Sequence, residues 1–210
     1  MRAKKGIISY AIKPSSKNIN PLGFGASLRG KNMHGVCPSW LSFILYNPVR
    51  KAFTDRERIL DESGITAGSV VLEVGPGNGF LTEAIAARAK KVQSIEIQEG
   101  MVRKLRKRTL PFGDKVEIIL GDIAFMQPAP EAFDVCLLYY SFHEIALKDK
   151  AAENIARAIK KGGILSIYEP SIEVNKTGMR ETLDLFVHLG LEKETERAGI
   201  FTRFARMRKE

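Results

Sequence analysis

Three carboxylates close three successive apolar runs of this chain. Glu73 follows Val70-Val71-Leu72, Glu96 follows Val92-Gln93-Ser94-Ile95, and Asp122 follows Ile118-Ile119-Leu120-Gly121. After the first of them comes Gly75-Pro76-Gly77-Asn78-Gly79, with glycine at every second position and an amphipathic stretch behind it. A strand, a tight loop and a helix start in that order let backbone approach a small ligand closely. The spacing excludes two common ligand loops. Phe80 stands where G-x-G-x-x-G needs its third glycine, and no Gly-Lys-Ser/Thr follows. Glu73, just before the loop, would repel a pyrophosphate and suits a cation instead, an ammonium or a sulfonium.

Glu96, one β–α unit later, is placed to accept two hydrogen bonds from ribose hydroxyls. Asp122 can accept from the exocyclic amine of adenine, with Ile97 and Ile123 sandwiching the ring. Cationic tail, ribose and adenine together describe S-adenosylmethionine. The expected cofactor residues are therefore Glu73, Gly75, Pro76, Gly77, Gly79, Glu96, Ile97, Asp122, Ile123 and Tyr139. The fourth apolar run leads into Tyr139-Tyr140-Ser141-Phe142-His143-Glu144, where a methyl acceptor would approach. Methyl transfer is a one-step displacement in which aligning the nucleophile supplies much of the rate. His143 and Glu144 are the candidate catalytic groups. His143 serves as a base if the nucleophile must lose a proton, and otherwise as a surface or capping histidine. Tyr139 and Tyr140 can line the sulfonium site through their rings or pack into the core.

The elements that must position these residues are legible from periodicity. Strands fit at 69–74, 92–97, 115–120, 133–139 and 163–168, and helices at 79–90, 99–109, 148–161 and 177–189. The run 133–139 is apolar on both faces, as in a parallel sheet covered on both sides. Thr54-Asp55-Arg56-Glu57 is a capping-box pattern opening a helix over about 55–63. Leu191–Ala198 and Phe201–Arg208, joined at Gly199, read as an antiparallel hairpin at one sheet edge. Before these, residues 1–35 show no periodicity. The apolar stretch 38–47, stopped before Pro48, reads as a short helix that covers the site or packs on the core. Two parts follow: a basic arm with its lid helix over 1–54, and a catalytic domain over 55–210.

The 210 residues, 44% hydrophobic, suffice for one ordinary core. The net charge of +9 lies wholly in residues 1–60, which hold eleven Lys/Arg against Asp55 and Glu57. Such an arm attracts phosphate or remains a solvated extension. No apolar run is long enough to cross a membrane, and the first residues lack the apolar stretch of a signal peptide. Cys37 and Cys136 are far apart without metal-type spacing, so no metal is expected and a cytoplasmic, reducing location is.

The E-x-G-x-G-x-G loop, the acid-ended second strand and Gly121-Asp122-Ile123 resemble the class I S-adenosylmethionine-dependent methyltransferases. Lys160-Lys161-Gly162-Gly163 resembles the turn before that family's fifth strand. The resemblance covers about 55–210. It implies an α/β, Rossmann-like, doubly wound seven-stranded sheet, mostly parallel, with an antiparallel last strand inserted between strands five and six. Ser141–Ile145 resembles the small-molecule branch that includes ubiquinone and menaquinone methyltransferases. The arm segment from His34 to Arg50 is similar to one in uncharacterised prokaryotic members. The implied acceptor is a small or lipid-like molecule, and the implied state a monomer or homodimer. Val71–Glu83 closely resembles the first motif of ribosomal RNA adenine dimethyltransferases, which implies a nucleic-acid alternative. Those enzymes carry an Asn-x-Pro-Tyr-like motif after strand four, and Leu138–Phe142 has neither Asn nor Pro. A third reading is a catalytically silent S-adenosylmethionine-binding module that works through its basic arm.

Overall fold

The computed structural model describes residues 54–210. The expected arm and lid helix, apart from Thr54, lie outside the described residues. The first helix, α1 (Arg56–Glu62), is capped by Asp55, whose carboxylate accepts from the Arg58 N–H at 3.0 Å. The cap is thus Asp55 and not Thr54, one residue later than the capping-box reading. Ile59 and Leu60 face the core.

Five strands and three helices follow, with no helix between β3 and β4: β1 (Val70–Val74), α2 (Thr82–Arg88), β2 (Lys91–Glu96), α3 (Glu99–Thr109), β3 (Val116–Leu120), β4 (Phe133–Tyr139), α4 (Lys148–Ala158) and β5 (Ile159–Pro170). The chain ends with α5 (Lys176–His188), β6 (Leu191–Ala198) and β7 (Thr202–Lys209). The sheet order is β3-β2-β1-β4-β5-β7-β6. Strands β1 to β5 pair in parallel, and β7 lies antiparallel between β5 and β6. The seven-stranded doubly wound sheet and its inserted last strand are as the sequence implied.

Strand alternation sorts the core into two layers. Val71, Val92, Val135 and Leu137 pack with Ile59 and Leu60 of α1 and Ala84 and Ile85 of α2. Leu72, Val74, Cys136, Leu138 and Leu165 pack with α4 and with Met179, Leu183 and Phe186 of α5. Two helix ends moved furthest from expectation. The helix expected from 79 begins at Thr82, because Gly75, Gly77 and Gly79 all have positive φ and hold the chain in a loop. The helix expected to reach 161 stops at Ala158, and β5 begins at Ile159, opposite Phe133. The register then shifts so that Val135 meets Ile164, and Gly162 takes φ 72 within the irregularity.

The strand order reverses between β1 and β4. At such a switch point the segments that follow the two strands lead away to opposite faces of the sheet, and the crevice between them is where ligands enter open α/β sheets.

Candidate active site

The loop after β1 is built by backbone. The Gly75 N–H donates to the Ile95 carbonyl at 2.9 Å, and the Gly79 N–H to the Pro76 carbonyl at 3.1 Å. A Cβ at Gly75 would lie 2.5 Å from Ser141 Cβ, and the backbone there has φ 71. Both clearance and conformation therefore require glycine. Gly77 differs: it has φ 59, but a Cβ there would meet nothing within 4 Å. Its outward face is open toward the crevice, and its N–H turns to Glu96.

Glu96, the last residue of β2, is 4% exposed. One carboxylate oxygen accepts from the Gly77 N–H at 2.9 Å and the other from the Gln98 N–H at 2.8 Å. Burial raises its pKa, opposed by those backbone donors and by that of Ile97. Beside it, Ile97 leaves 53% of its surface exposed. Asp122, after β3, accepts from the Ala124 N–H at 2.8 Å, so it caps its turn while also lining the crevice.

Glu73 lies on the α2 side of β1, 2% exposed. One of its oxygens accepts from Thr82 at 2.6 Å and from Ser94, its register neighbour on β2, at 2.9 Å. Burial pushes its pKa up to about 7, against the pull of those two hydroxyls and with a further push from the charge of Glu96. In the free protein Glu73 thus holds a proton for much of the time near neutrality.

These groups line one cavity of about 640 Å³. Every expected cofactor residue borders it except Gly79. Gly79 lies behind the loop, where a Cβ would come 2.7 Å from Leu105 Cδ1 of α3. It shapes the turn and packs it. His143 and Glu144 border the same cavity, so the two halves of the sequence reading share one space. No lysine or arginine among the described residues lines it.

The segment after β4 is held by its side chains. The Ser141 hydroxyl donates to the Val74 carbonyl at 2.8 Å, tying β4 to β1. Tyr140 adopts φ 56, which costs energy for a non-glycine residue. Three contacts hold it there. Its N–H donates to the Tyr168 carbonyl at 2.8 Å, its ring stacks on Tyr139 at 4.4 Å, and its hydroxyl bonds Thr202 of β7. His143 sits in a single 3-10 turn, Phe142–Glu144. Its Nδ1 bonds Glu169 and its Nε2 lies 3.0 Å from Glu173. The burial of His143 opposes its charge, but the hydrogen bond and charge of Glu169 outweigh it, with help from Glu173 and Glu144. The net result is a raised pKa.

Glu169 and Glu173 are absent from the sequence reading. A signal existed: Glu169 stands next to the end of the fifth strand much as Glu96 closes the second, but strand five was expected to stop at 168. Among the described residues, no group of three or more His, Cys, Asp or Glu side chains is arranged to hold a metal ion. Cys136 is fully buried, and burial pushes its thiol far up, which removes it as a nucleophile.

Residues 72–167 match the family model described as a methyltransferase domain. The chain is 36% identical over 115 residues to an uncharacterized methyltransferase of Geobacillus sp. strain WCH70, covering 54% of this chain and 53% of that one. It is 33% identical over 124 residues to the ubiquinone/menaquinone biosynthesis C-methyltransferase of Hydrogenovibrio crunogenus (54% and 47%). It is 43% identical over 81 residues to the dimethyladenosine transferase of Saccharomyces cerevisiae (38% and 25%). The chain thus spans about half or less of the length of these curated relatives. Among solved structures, a SAM-dependent methyltransferase from Aquifex aeolicus superimposes with a TM-score of 0.72 at 22% identity, covering 82% of this chain and 98% of that one. The fold is therefore the Rossmann-like fold of S-adenosylmethionine-dependent methyltransferases.

Proposed function

We propose that this chain binds S-adenosylmethionine across the carboxyl ends of β1 to β4 and methylates a small acceptor. One observation carries the reading. Glu96 is buried and clamped by two backbone N–H groups, yet it borders a cavity whose next residue, Ile97, is an exposed apolar side chain. A fixed carboxylate beside unpaired apolar surface suits a ribose joined to a flat base. Asp122 and Ile123 on the next strand extend the same surface, and open space at Gly77 leaves room for a ligand against the loop. The residues present thus fit the cofactor. When bound, it supplies a methyl group on positively charged sulfur. Glu96 would accept from its ribose hydroxyls and Asp122 from its adenine amine. Glu73, able to give up its proton near neutrality, would offset a nearby cation.

Isothermal calorimetry tests this directly. S-adenosylmethionine and its demethylated product should both bind, and Glu96→Ala should weaken binding by more than about tenfold, since charged hydrogen bonds are lost. Unchanged affinity in that variant would remove the ribose role of Glu96.

The acceptor reading rests on the charge of the cavity. Among the described residues, its charged lining is acidic apart from His143, and no lysine or arginine borders it. A neutral or cationic small molecule fits better there than a phosphodiester. The nucleic-acid alternative draws on the likeness of residues around the first loop to dimethyladenosine transferases. Tyr139–Phe142 lacks the Asn and Pro that would hold a base amine. Tight, salt-sensitive RNA binding by the full chain would reverse this preference. Cofactor binding without turnover on any of a broad acceptor panel would favour the silent module.

A further inference from the structure

We propose that His143, positioned by Glu169, receives a proton from the methyl acceptor, so that the methylated atom is a nitrogen or oxygen carrying a dissociable proton. This rests on the methyltransferase reading above.

The geometry separates the two ring nitrogens. Glu169, the next-to-last residue of β5, has a side chain 1% exposed. Its Oε1 accepts from the His143 backbone N–H at 3.1 Å, and its Oε2 accepts from ring Nδ1–H. One buried carboxylate thus fixes both the turn and the tautomer, because a carboxylate can only accept. In this arrangement Nε2 carries a proton as well, because it too faces a carboxylate, and it becomes the basic nitrogen once that proton has passed to Glu173 or to water. It points to Glu173, whose side chain is 58% exposed and borders the cavity. A histidine with a purely structural role needs the Nδ1 link alone. Here, among the described residues, the second nitrogen is held by a water-facing carboxylate that an incoming acceptor can displace.

Other charged groups surround the pair. Glu144 shares the turn of His143. Lys148 and Asp149 of α4, and Glu181, Asp184 and His188 of α5, line an adjoining groove. Within the cavity itself the acceptor end carries Glu144 and Glu173 and no cation among the described residues. An amine, a phenol or an alcohol suits that lining.

The step balances as follows. The acceptor's lone pair forms a bond to the methyl carbon while the carbon–sulfur bond breaks, and sulfur keeps that electron pair as a thioether. Nε2 first gives its own proton to Glu173 or water, and the proton of the acceptor atom then passes to Nε2 of the neutral ring and leaves by the same route. An acceptor with no proton to lose, such as a thioether, gains nothing from the pair.

The chain has three histidines, so ring signals resolve easily in the full-length protein. Nitrogen NMR without cofactor should show neutral His143 protonated on Nδ1, titrating above the ordinary 6.5. Glu169→Gln keeps an acceptor for Nδ1–H but loses the charge, so the titration should move down. Glu173→Gln, at an exposed position, should move it down less. With acceptors from a panel of amines and phenols, His143→Asn should lower kcat by about 100-fold with KM for S-adenosylmethionine unchanged. The kcat–pH profile of Glu169→Gln should shift with its NMR titration. A neutral ring protonated on Nε2, or a titration unmoved in both glutamate variants, overturns the proposal. So does a panel in which only thioethers are methylated. These ring measurements need no cofactor. A protein that binds S-adenosylmethionine but shows the wrong tautomer therefore refutes the pair alone, whereas absent cofactor binding refutes the broader reading.

Discussion

The two ends of the cavity are built by different means. The end formed by β1, β2 and β3 is shaped by backbone: positive φ at Gly75, Gly77 and Gly79, and carboxylates locked by N–H groups two or nineteen residues away. The end formed by β4 and β5 is shaped by side chains meeting across long separations, His143 with Glu169 and Tyr140 with Thr202. Backbone shape tolerates little change in residue type, so it suits a ligand that stays the same. Side-chain pairs can be exchanged one at a time while the sheet stands, which suits an end that meets different acceptors.

Glu73 tests where the first end ends, because it is a buried side chain in an otherwise backbone-built region. Its folded pKa of about 7 lies above the ordinary 4.5. Between those values the unfolded chain has released a proton that the folded chain keeps. Stability therefore falls as pH rises through that window, by about 3 kcal/mol in all. His143, also raised, contributes stability below 6.5 that is lost as pH rises through its folded pKa, so the two slopes share a sign. Glu73→Gln separates them. Urea unfolding at pH 4.5 and pH 7.5 should show most of the slope gone in this variant. A retained slope would assign it to Glu96 or to the acceptor end.

That contrast explains what was legible in the sequence. Glycine spacing and an acid at a strand end are local, so Gly75, Gly77, Glu96 and Asp122 were readable, and so was the strand order that brings them together. Glu169 was missed because its partner is 26 residues away and only the parallel pairing of β4 with β5 brings them together. Gly79 was read as a ligand contact because its spacing equals that of its neighbours. Its surroundings, Leu105 and Arg108 of α3, appear only after folding. Ser141 likewise reveals its role only when β4 lies beside β1.

A pair of glycine variants sharpens the comparison from the backbone side. Gly75→Ala pushes a methyl into Ser141 and forces an alanine into φ 71. It should lose about 2–3 kcal/mol in urea unfolding and most cofactor affinity. Gly77→Ala meets no neighbour and should lose only about 1 kcal/mol from its backbone conformation. Its affinity loss should still be large, because its methyl enters the space left for the ligand. Equal affinity for wild type and Gly77→Ala would place the ligand away from this loop.

The smallest effect is expected at Tyr140, and it tests whether the two ends are separable. Tyr140 borders the cavity, but its hydroxyl reaches Thr202, which lies opposite Pro170 in the β5–β7 pairing. The bond exists because β7 is inserted next to β5, so the C-terminal hairpin supports the acceptor end and leaves the glycine loop untouched. Tyr140→Phe keeps the ring stacked on Tyr139 and removes one hydrogen bond, worth about 1 kcal/mol. Stability should fall by about that amount, acceptor KM should rise a few-fold, and calorimetric affinity for S-adenosylmethionine should stay the same. A matching loss of cofactor affinity would mean that the strained φ of Tyr140 is transmitted through Ser141 to Val74 and the loop, and that one rigid unit serves both ligands.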